Sequence, residues 1–425
     1  LLDIAFVRDN PELAKRAVKL KGEKVDIDNL LELDEQHRQI TTDVQKLREE
    51  RNAKSKEVGE LRKQKRDASR LIDAVRKIND KIKGLEAELE ILRRQIEDLM
   101  MWVPNIPSDE VQPGFGDDNA VEISRWGERR EFAFEAKAHW DLGKYLGILD
   151  FETAAKLAGS FFALFIGQGA LLERALFNFM LDLHTTKHGF KEVCPPFIVN
   201  RDVMAGTGQL PKLEDDMYHM PRDDFFLIPT AEVPLINIYR DVVLSEDDLP
   251  IYLTAYSPCF RREAGSYGKD TRGLLRIHQF DKVEMVKFVT PETGRDELET
   301  LLANAEDVLR LLGLEYRVMR LPAGDLSFAA ALCYDIEVWA PGVKKYLEVS
   351  SCSTTTDFQA RRSNIRYRTK KGKMRYVHTL NGSGVALPRV VVAILETFQN
   401  ADGTVTVPEV LVPYMHGRQK ITPEI

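Results

Sequence analysis

At 425 residues the chain has room for about two or three domains, one of them with a large core. Apolar residues at 44% and charged residues at 30% describe a globular protein, and a formal net charge of −7 excludes a generally basic nucleic-acid coat, so any nucleic-acid site must be local. Cys194, Cys259, Cys333 and Cys352 form no CxxC pair and lie near no histidine cluster, which excludes a zinc knuckle or disulfide framework and points to a reducing cytosol. The opening LLDIAFVRDNP is broken by charge too early for a secretory signal, and no stretch reaches the roughly 18 apolar residues of a membrane span, so neither is expected.

The first elements form a coiled coil. Leu71, Val75, Ile78, Ile82, Leu85, Leu89, Leu92, Ile96 and Leu99 alternate steps of four and three, the spacing of a helical seam. Leu33, His37, Ile40, Val44, Leu47, Arg51, Lys54, Val58 and Leu61 keep the same rhythm with polar lapses at His37, Arg51 and Lys54. Two such helices joined by a short turn predict an antiparallel hairpin, an arm on the order of 60 Å long at 1.5 Å rise per residue. The turn falls in RKQKRDAS, and residues 51–70 hold eight Lys or Arg against three Asp or Glu. Two readings stand for that tip: a solvated helix end, or a finger that follows a phosphate backbone.

VPNIPSDEVQPGFGDDN, from Val103, is rich in Pro, Gly and Asp and ends the heptads. The expected organisation is an arm over 1–103, a linker over 104–120 and a second domain over 121–425. In that domain helical patterns such as ALLERALFNFMLDLHTTKHG alternate with strand runs such as YDIEVWA and KYLEVSS, and the succession of strand runs predicts an α+β fold on a largely antiparallel sheet. There is no GxxxxGK[ST], GxSxG, HExxH or kinase set, and Gly167-Gln168-Gly169 lacks a third glycine, so a bound phosphate must be held by side chains on a sheet.

FRREAGSYGKDTRGLLRIHQFDKVEM, residues 260–285, offers those side chains. Read as strand, loop, strand, it turns Arg261 and Glu263 one way and sets Arg276, Phe280 and Glu284 on one face. An arginine fork suits phosphate or carboxylate oxygens, a ring can stack on a purine, and a carboxylate can take an ammonium or hydroxyl; the set fits a nucleotide beside an amino acid. Arg261 with Glu263 also fits an ordinary ion pair, and Phe280 a core position. Further candidates accumulate in separate segments: Thr230 and Glu232 in IPTAEVP, Glu348 and Ser351 in YLEVSSCS, and Arg389 at the end of LNGSGVALPR.

TAEVP, FRREAGSYGKDTRGLLRIHQFDKVE, EVSSCSTTTDFQARR and TLNGSGVALPR together resemble the bacterial-type seryl-tRNA synthetases, a family of class II aminoacyl-tRNA synthetases, over the whole chain. The helix before GFKEVCPPFIV resembles motif 1, with Pro196 at the family's dimer-interface proline. Residues 260–285 resemble motif 2 and TLNGSGVALPR motif 3. The resemblance implies a class II catalytic domain, an antiparallel β-sheet flanked by helices, behind the coiled-coil arm.

It also implies residue roles. Arg261, Glu263, Arg276 and Arg389 would be catalytic. Arg261, Arg262, Glu263, Arg276, Phe280, Glu348, Val349, Ser350, Ser351 and Arg389 would hold ATP, with Phe280 stacked on the base. Glu348 and Ser351 would ligate Mg²⁺. Thr230, Ala231, Glu232, Arg261, Glu284, Asn381 and Ser383 would hold L-serine, and Glu284 is the selectivity residue, since a buried acceptor left without its hydroxyl penalises alanine. His278 has no catalytic role in the family pattern and is expected to be structural. Arg62, Lys63, Lys65, Arg66 and Arg70 would contact tRNA(Ser), and tRNA(Sec) where a cell has one, across a cytoplasmic homodimer. The rival reading, a serine-activating ligase that loads a carrier protein, would keep the catalytic motifs and lack the arm.

Overall fold

The computed structural model of the chain describes residues 1–264 and 272–423; most of the GSYGKDTRG loop expected between the two strands lies outside the described residues. The chain divides into two compact units, Leu2–Pro104 and Asn105–Ile425 with Leu1.

The first unit begins with short helices Ile4–Asp9 and Pro11–Leu20, followed by two long ones, Ile27–Lys63 and Ser69–Met100, that pack on each other. Asp26 starts the first long helix, its carboxylate accepting from the N–H groups of Asp28 and Asn29 at 2.9 and 3.1 Å. All nine seam positions of each helix are shielded, including His37, Arg51 and Lys54, while most residues between them are exposed. The rhythm therefore holds through its polar lapses, because helix geometry sets which face turns inward and a long side chain can bury its stem there. Only Val44, Ile82 and Leu92 of those positions are fully buried, as two helices alone cannot enclose a seam. Arg48 bridges the helices to Glu86 at 2.7 Å.

The turn closes the first long helix with paired hydrogen bonds, Arg66 N–H to Leu61 O at 2.9 Å and Lys65 N–H to Arg62 O at 3.1 Å. This termination needs a left-handed residue, and Lys65 takes it at φ +56° where glycine is the usual choice. Asp67 accepts at 3.0 Å from the N–H of Ser69, the first residue of the second long helix.

In the second unit an eight-stranded sheet runs, edge to edge, Val121–Trp126, Tyr316–Arg320, Leu332–Ala340, Lys345–Thr354, His378–Ala386, Gln279–Val289, Ile251–Phe260 and Lys191–Glu192. Every neighbouring pair is antiparallel except the last. Helices Gln168–Thr186, Gly294–Leu312 and Leu387–Thr397 pack on it. Central position explains the composition of Gln279–Val289, where residues 282–289 are buried without alternation, and each charge kept there has a partner. Lys287, for example, meets Glu297 at 2.8 Å and the Thr300 hydroxyl at 2.6 Å.

Residues 105–116 are largely irregular but tied down: Asn105 N–H donates to Phe328 O at 3.1 Å, Ser108 N–H to Ala331 O at 2.8 Å and Gly116 N–H to the Asp325 carboxylate at 2.8 Å. Among the described residues no helix is long and apolar enough to cross a membrane.

Candidate active site

A cavity of about 410 Å³ lies against the sheet. Alternation along Gln279–Val289 sends Phe280, Lys282 and Glu284 into it; the neighbouring strands add Asn381 and Ser383, and Glu348 to Ser351. Ser383 stands directly opposite Glu284 in the register. Thr230 and Glu232 enter from the start of the short helix Glu232–Asn237, and Arg389 from the first turn of Leu387–Thr397.

Arg261 and Arg276, both within residues 260–285, reach the cavity by a route other than strand alternation. The strand ends at Phe260, and Glu263 sits at φ +51°, so Arg261 and Glu263 lie on irregular backbone; Arg276 likewise precedes the strand that starts at Gln279. All three nonetheless line the cavity. Glu263 pairs with Arg276 at 2.9 Å rather than with Arg261. The Arg261 guanidinium lies 5.2 Å from the centre of the Phe280 ring, and its backbone is held to His278, N–H to His278 O at 2.9 Å and O to His278 Nδ1 at 3.1 Å. His278 is itself packed against the rings of Phe161 and Phe162, which makes it a brace for Arg261.

Deeper in, Thr230, Lys282 and Glu284 form a closed polar set. The Thr230 hydroxyl donates to Glu284 Oε2 at 3.0 Å and accepts from Lys282 Nζ at 3.0 Å, while Lys282 also pairs with Glu284. Their exposures are 4%, 7% and 2%, so each charge depends on the others and not on water. Beside them Glu232 Oε1 accepts from Gln359 Nε2 at 2.6 Å and Asn381 Nδ2 at 3.0 Å. Burial, then the Glu284 charge, push the Glu232 carboxyl up to about 7, against the pull of the Gln359 hydrogen bond.

At the other side Arg389 Nη1 donates to Glu348 O at 2.7 Å and approaches its carboxylate at 3.4 Å. Ser351 Oγ lies 3.0 Å from Cys333 Sγ, and Ser350 Oγ donates to Ser383 O at 2.6 Å. Burial and the nearby Glu348 charge push the Asp335 carboxyl well above its usual range.

The side chains of Ala231 and Arg262 are not among those lining the cavity. Ala231 is buried in an apolar cluster with Leu235, Ile236 and Phe288. Arg262 turns away, its Nε donating to Met217 O at 2.9 Å and its guanidinium lying 5.0 Å from the Tyr218 ring centre. Arg62, Lys63, Lys65, Arg66 and Arg70 are all exposed around the hairpin turn of the other unit. Lys282 and Gln359 were not expected. Lys282 shares the strand parity of Phe280 and Glu284, a signal that could have found it; Gln359 lies inside EVSSCSTTTDFQARR, but no periodicity there points toward Glu232.

Residues 1–107 match the seryl-tRNA synthetase N-terminal domain family and residues 213–398 the tRNA synthetase class II core domain (G, H, P, S and T) family. The chain is 54% identical over 416 residues to a serine–tRNA ligase of Caldanaerobacter subterraneus subsp. tengcongensis, covering 98% of each, and 52% identical over 426 residues to one of Desulforapulum autotrophicum, covering 100% of each. The crystal structure of seryl-tRNA synthetase from Pyrococcus horikoshii complexed with ATP matches it with a TM-score of 0.96 at 38% identity over 100% of both chains. An antiparallel class II sheet, a helical N-terminal hairpin and full-length likeness at this level lead to one assignment: the chain belongs to the seryl-tRNA synthetase family of class II aminoacyl-tRNA synthetases.

Proposed function

We propose that this protein joins L-serine to ATP as seryl-adenylate and transfers the seryl group to tRNA(Ser), releasing pyrophosphate and then AMP. The observation that carries the reading is the buried set of Thr230, Lys282 and Glu284 lying in the same cavity as Arg261 and Phe280. A small hydroxyl-bearing amino acid fits the first group and a purine nucleotide the second. In favour stand the relatives, which are named serine–tRNA ligases, and a structural neighbour solved with ATP.

In the first step a serine carboxylate oxygen attacks the α-phosphorus, and the bond from that phosphorus to the bridging oxygen breaks to release pyrophosphate. Arg261 meets both the carboxylate and the α-phosphate and offsets charge that builds between them. Phe280 stacks on the base, Glu263 marks the adenine end and orients Arg276 through their ion pair, and Arg276 and Arg389 hold the outer phosphates. Arg262 acts from outside the cavity by anchoring the motif to Met217. Serine is held by Thr230, Glu232, Glu284, Asn381 and Ser383, with Ala231 supplying main chain, while Lys282 pairs with Glu284 and holds it in place. In the second step the terminal tRNA hydroxyl attacks the acyl carbon and AMP leaves; positioning carries both steps without a strong base.

Glu348 and Ser351 suit Mg²⁺, since both offer hard oxygen donors to the cavity. The bound ion would neutralise phosphate charge. Residues 1–103 serve as the tRNA arm, 104–120 as the connection and 121–425 as the catalytic domain, in a cytoplasmic homodimer that binds tRNA across subunits and also serylates tRNA(Sec) where it exists. The exposed basic turn favours this over a carrier-protein acceptor.

The deciding experiment is charging of unfractionated tRNA with labelled serine, ATP and Mg²⁺, with other amino acids as controls. Selective serine charging is expected; serine-dependent pyrophosphate exchange without charging would move the acceptor to a protein carrier.

A further inference from the structure

His139 plays no part in the chemistry above, yet it is wholly buried and both ring nitrogens are engaged. It opens the helix His139–Leu146, and its main-chain N–H and its Nδ1 both reach Glu396 Oε1, at 2.9 and 2.8 Å. Glu396 is equally buried, near the end of Leu387–Thr397. Its Oε2 accepts from the N–H groups of Gly342 and Val343 at 2.8 and 3.0 Å, in the turn joining strands Leu332–Ala340 and Lys345–Thr354.

These partners assign the imidazole. A carboxylate only accepts, so Nδ1 carries the proton toward Glu396. Nε2 then presents a lone pair, which accepts the Leu274 N–H at 3.0 Å; a protonated Nε2 would set donor against donor. The approach is close enough to dictate residue 273. Gly273 has φ +70°, and a Cβ there would fall 2.2 Å from His139 Nε2. Leu274 is 1% exposed, so its N–H has no water as an alternative. Leu274, Leu275 and Arg276 line the cavity, and the helix that ends near Glu396 carries Arg389 in its first turn.

We propose that His139 is a positioning residue for the ATP site: the relay from Glu396 through His139 to Leu274 sets the segment Leu274–Arg276 in register with the helix of Arg389, so that two arginines from distant parts of the chain face one polyphosphate. This rests on the ATP reading given above.

The test compares wild type with three variants, using ATP titration by calorimetry without serine and, in parallel, serine-dependent pyrophosphate exchange. His139→Gln keeps an acceptor at the reach of Nε2. His139→Asn keeps a donor near Glu396 but falls short of Leu274. Gly273→Ala attacks the same contact from the other side. His139→Asn and Gly273→Ala should weaken ATP binding roughly fivefold, the scale of one hydrogen bond, and raise KM for ATP by the same factor with KM for serine unchanged. His139→Gln should return ATP affinity to within about twofold of wild type. Wild-type ATP affinity in both His139→Asn and Gly273→Ala would overturn the proposal. So would equal defects in His139→Asn and His139→Gln with both KM values raised, the mark of a merely structural role. If wild type bound ATP but showed no serine-dependent exchange, the proposed reaction would fall, and the calorimetric comparison would still decide this point.

Discussion

Glu284 is held at 2% exposure between Thr230 and Lys282. Glu284→Gln keeps the shape and removes the charge, which leaves Lys282 buried without its counter-ion. Serine kcat/KM in pyrophosphate exchange should fall roughly 10- to 100-fold, with KM for ATP little changed. Arg261→Ala should abolish serine-dependent exchange; near-normal exchange would remove Arg261 from the reaction. Glu232 predicts a pH dependence. Its carboxyl is raised from 4.5 to about 7, so between those values the folded protein holds a proton that the unfolded chain has released. Its contribution to stability is therefore complete below 4.5 and is lost as pH climbs through about 7. If the carboxylate receives the serine ammonium, serine kcat/KM rises through that same range, and a Glu232→Gln profile should be flat there. The residues that meet in this cavity were legible where a charge stood on a strand, as at Glu284. Arg262 shows the limit: in sequence it is a motif arginine like its neighbour, and only the backbone after Phe260 decides that one enters the cavity and the other turns to Met217.

Helices carry two further expectations. Lys65 closes the hairpin turn at φ +56°, a conformation that costs a side-chain residue on the order of 1 kcal/mol relative to glycine. Lys65→Gly should stabilise the arm by about that amount in chemical denaturation, although it removes a cation from the tip. On Gln168–Thr186, burial and then the Asp281 charge push the Glu173 carboxyl up to about 8. The unfolded chain ionises near 4.5, so this group erodes stability progressively as pH rises from there to about 8. Glu173→Gln should gain on the order of 1–3 kcal/mol near pH 8 and nothing near pH 4, measured by urea unfolding at the two pH values. The hairpin was readable from sequence because a helical seam depends on spacing alone, so even Arg51 and Lys54 revealed their orientation. Strand ends were less readable. Arg261 and Arg276 look like strand residues by alternation, but the ladder stops short of both: the Arg262 N–H goes to Asp216 O and the His278 N–H to Phe161 O.

At the scale of the whole chain, Leu2–Pro104 and Asn105–Ile425 each hold their own contacts, so losing one need not unmake the other. Deleting residues 30–100 should spare serine-dependent pyrophosphate exchange and lower tRNA charging at least roughly tenfold, the loss expected when several phosphate contacts go. Unchanged charging kinetics would refute a tRNA role for the arm. The class of the sheet was legible from the succession of strand runs, but its order was not: pairing of Val121 with Arg320 depends on long-range packing that no local pattern encodes. That same pairing bears on how the molecule is made. The hairpin joins helices that follow each other along the chain, and such local contacts form quickly. The edge strand Val121–Trp126 must wait for Tyr316–Arg320, and the cavity waits for Arg389. On the ribosome the arm can therefore be complete while the sheet still lacks half its strands. The exposed strand edges of that interval make the catalytic unit, and not the arm, the part of this protein that depends on a clear path to its native state.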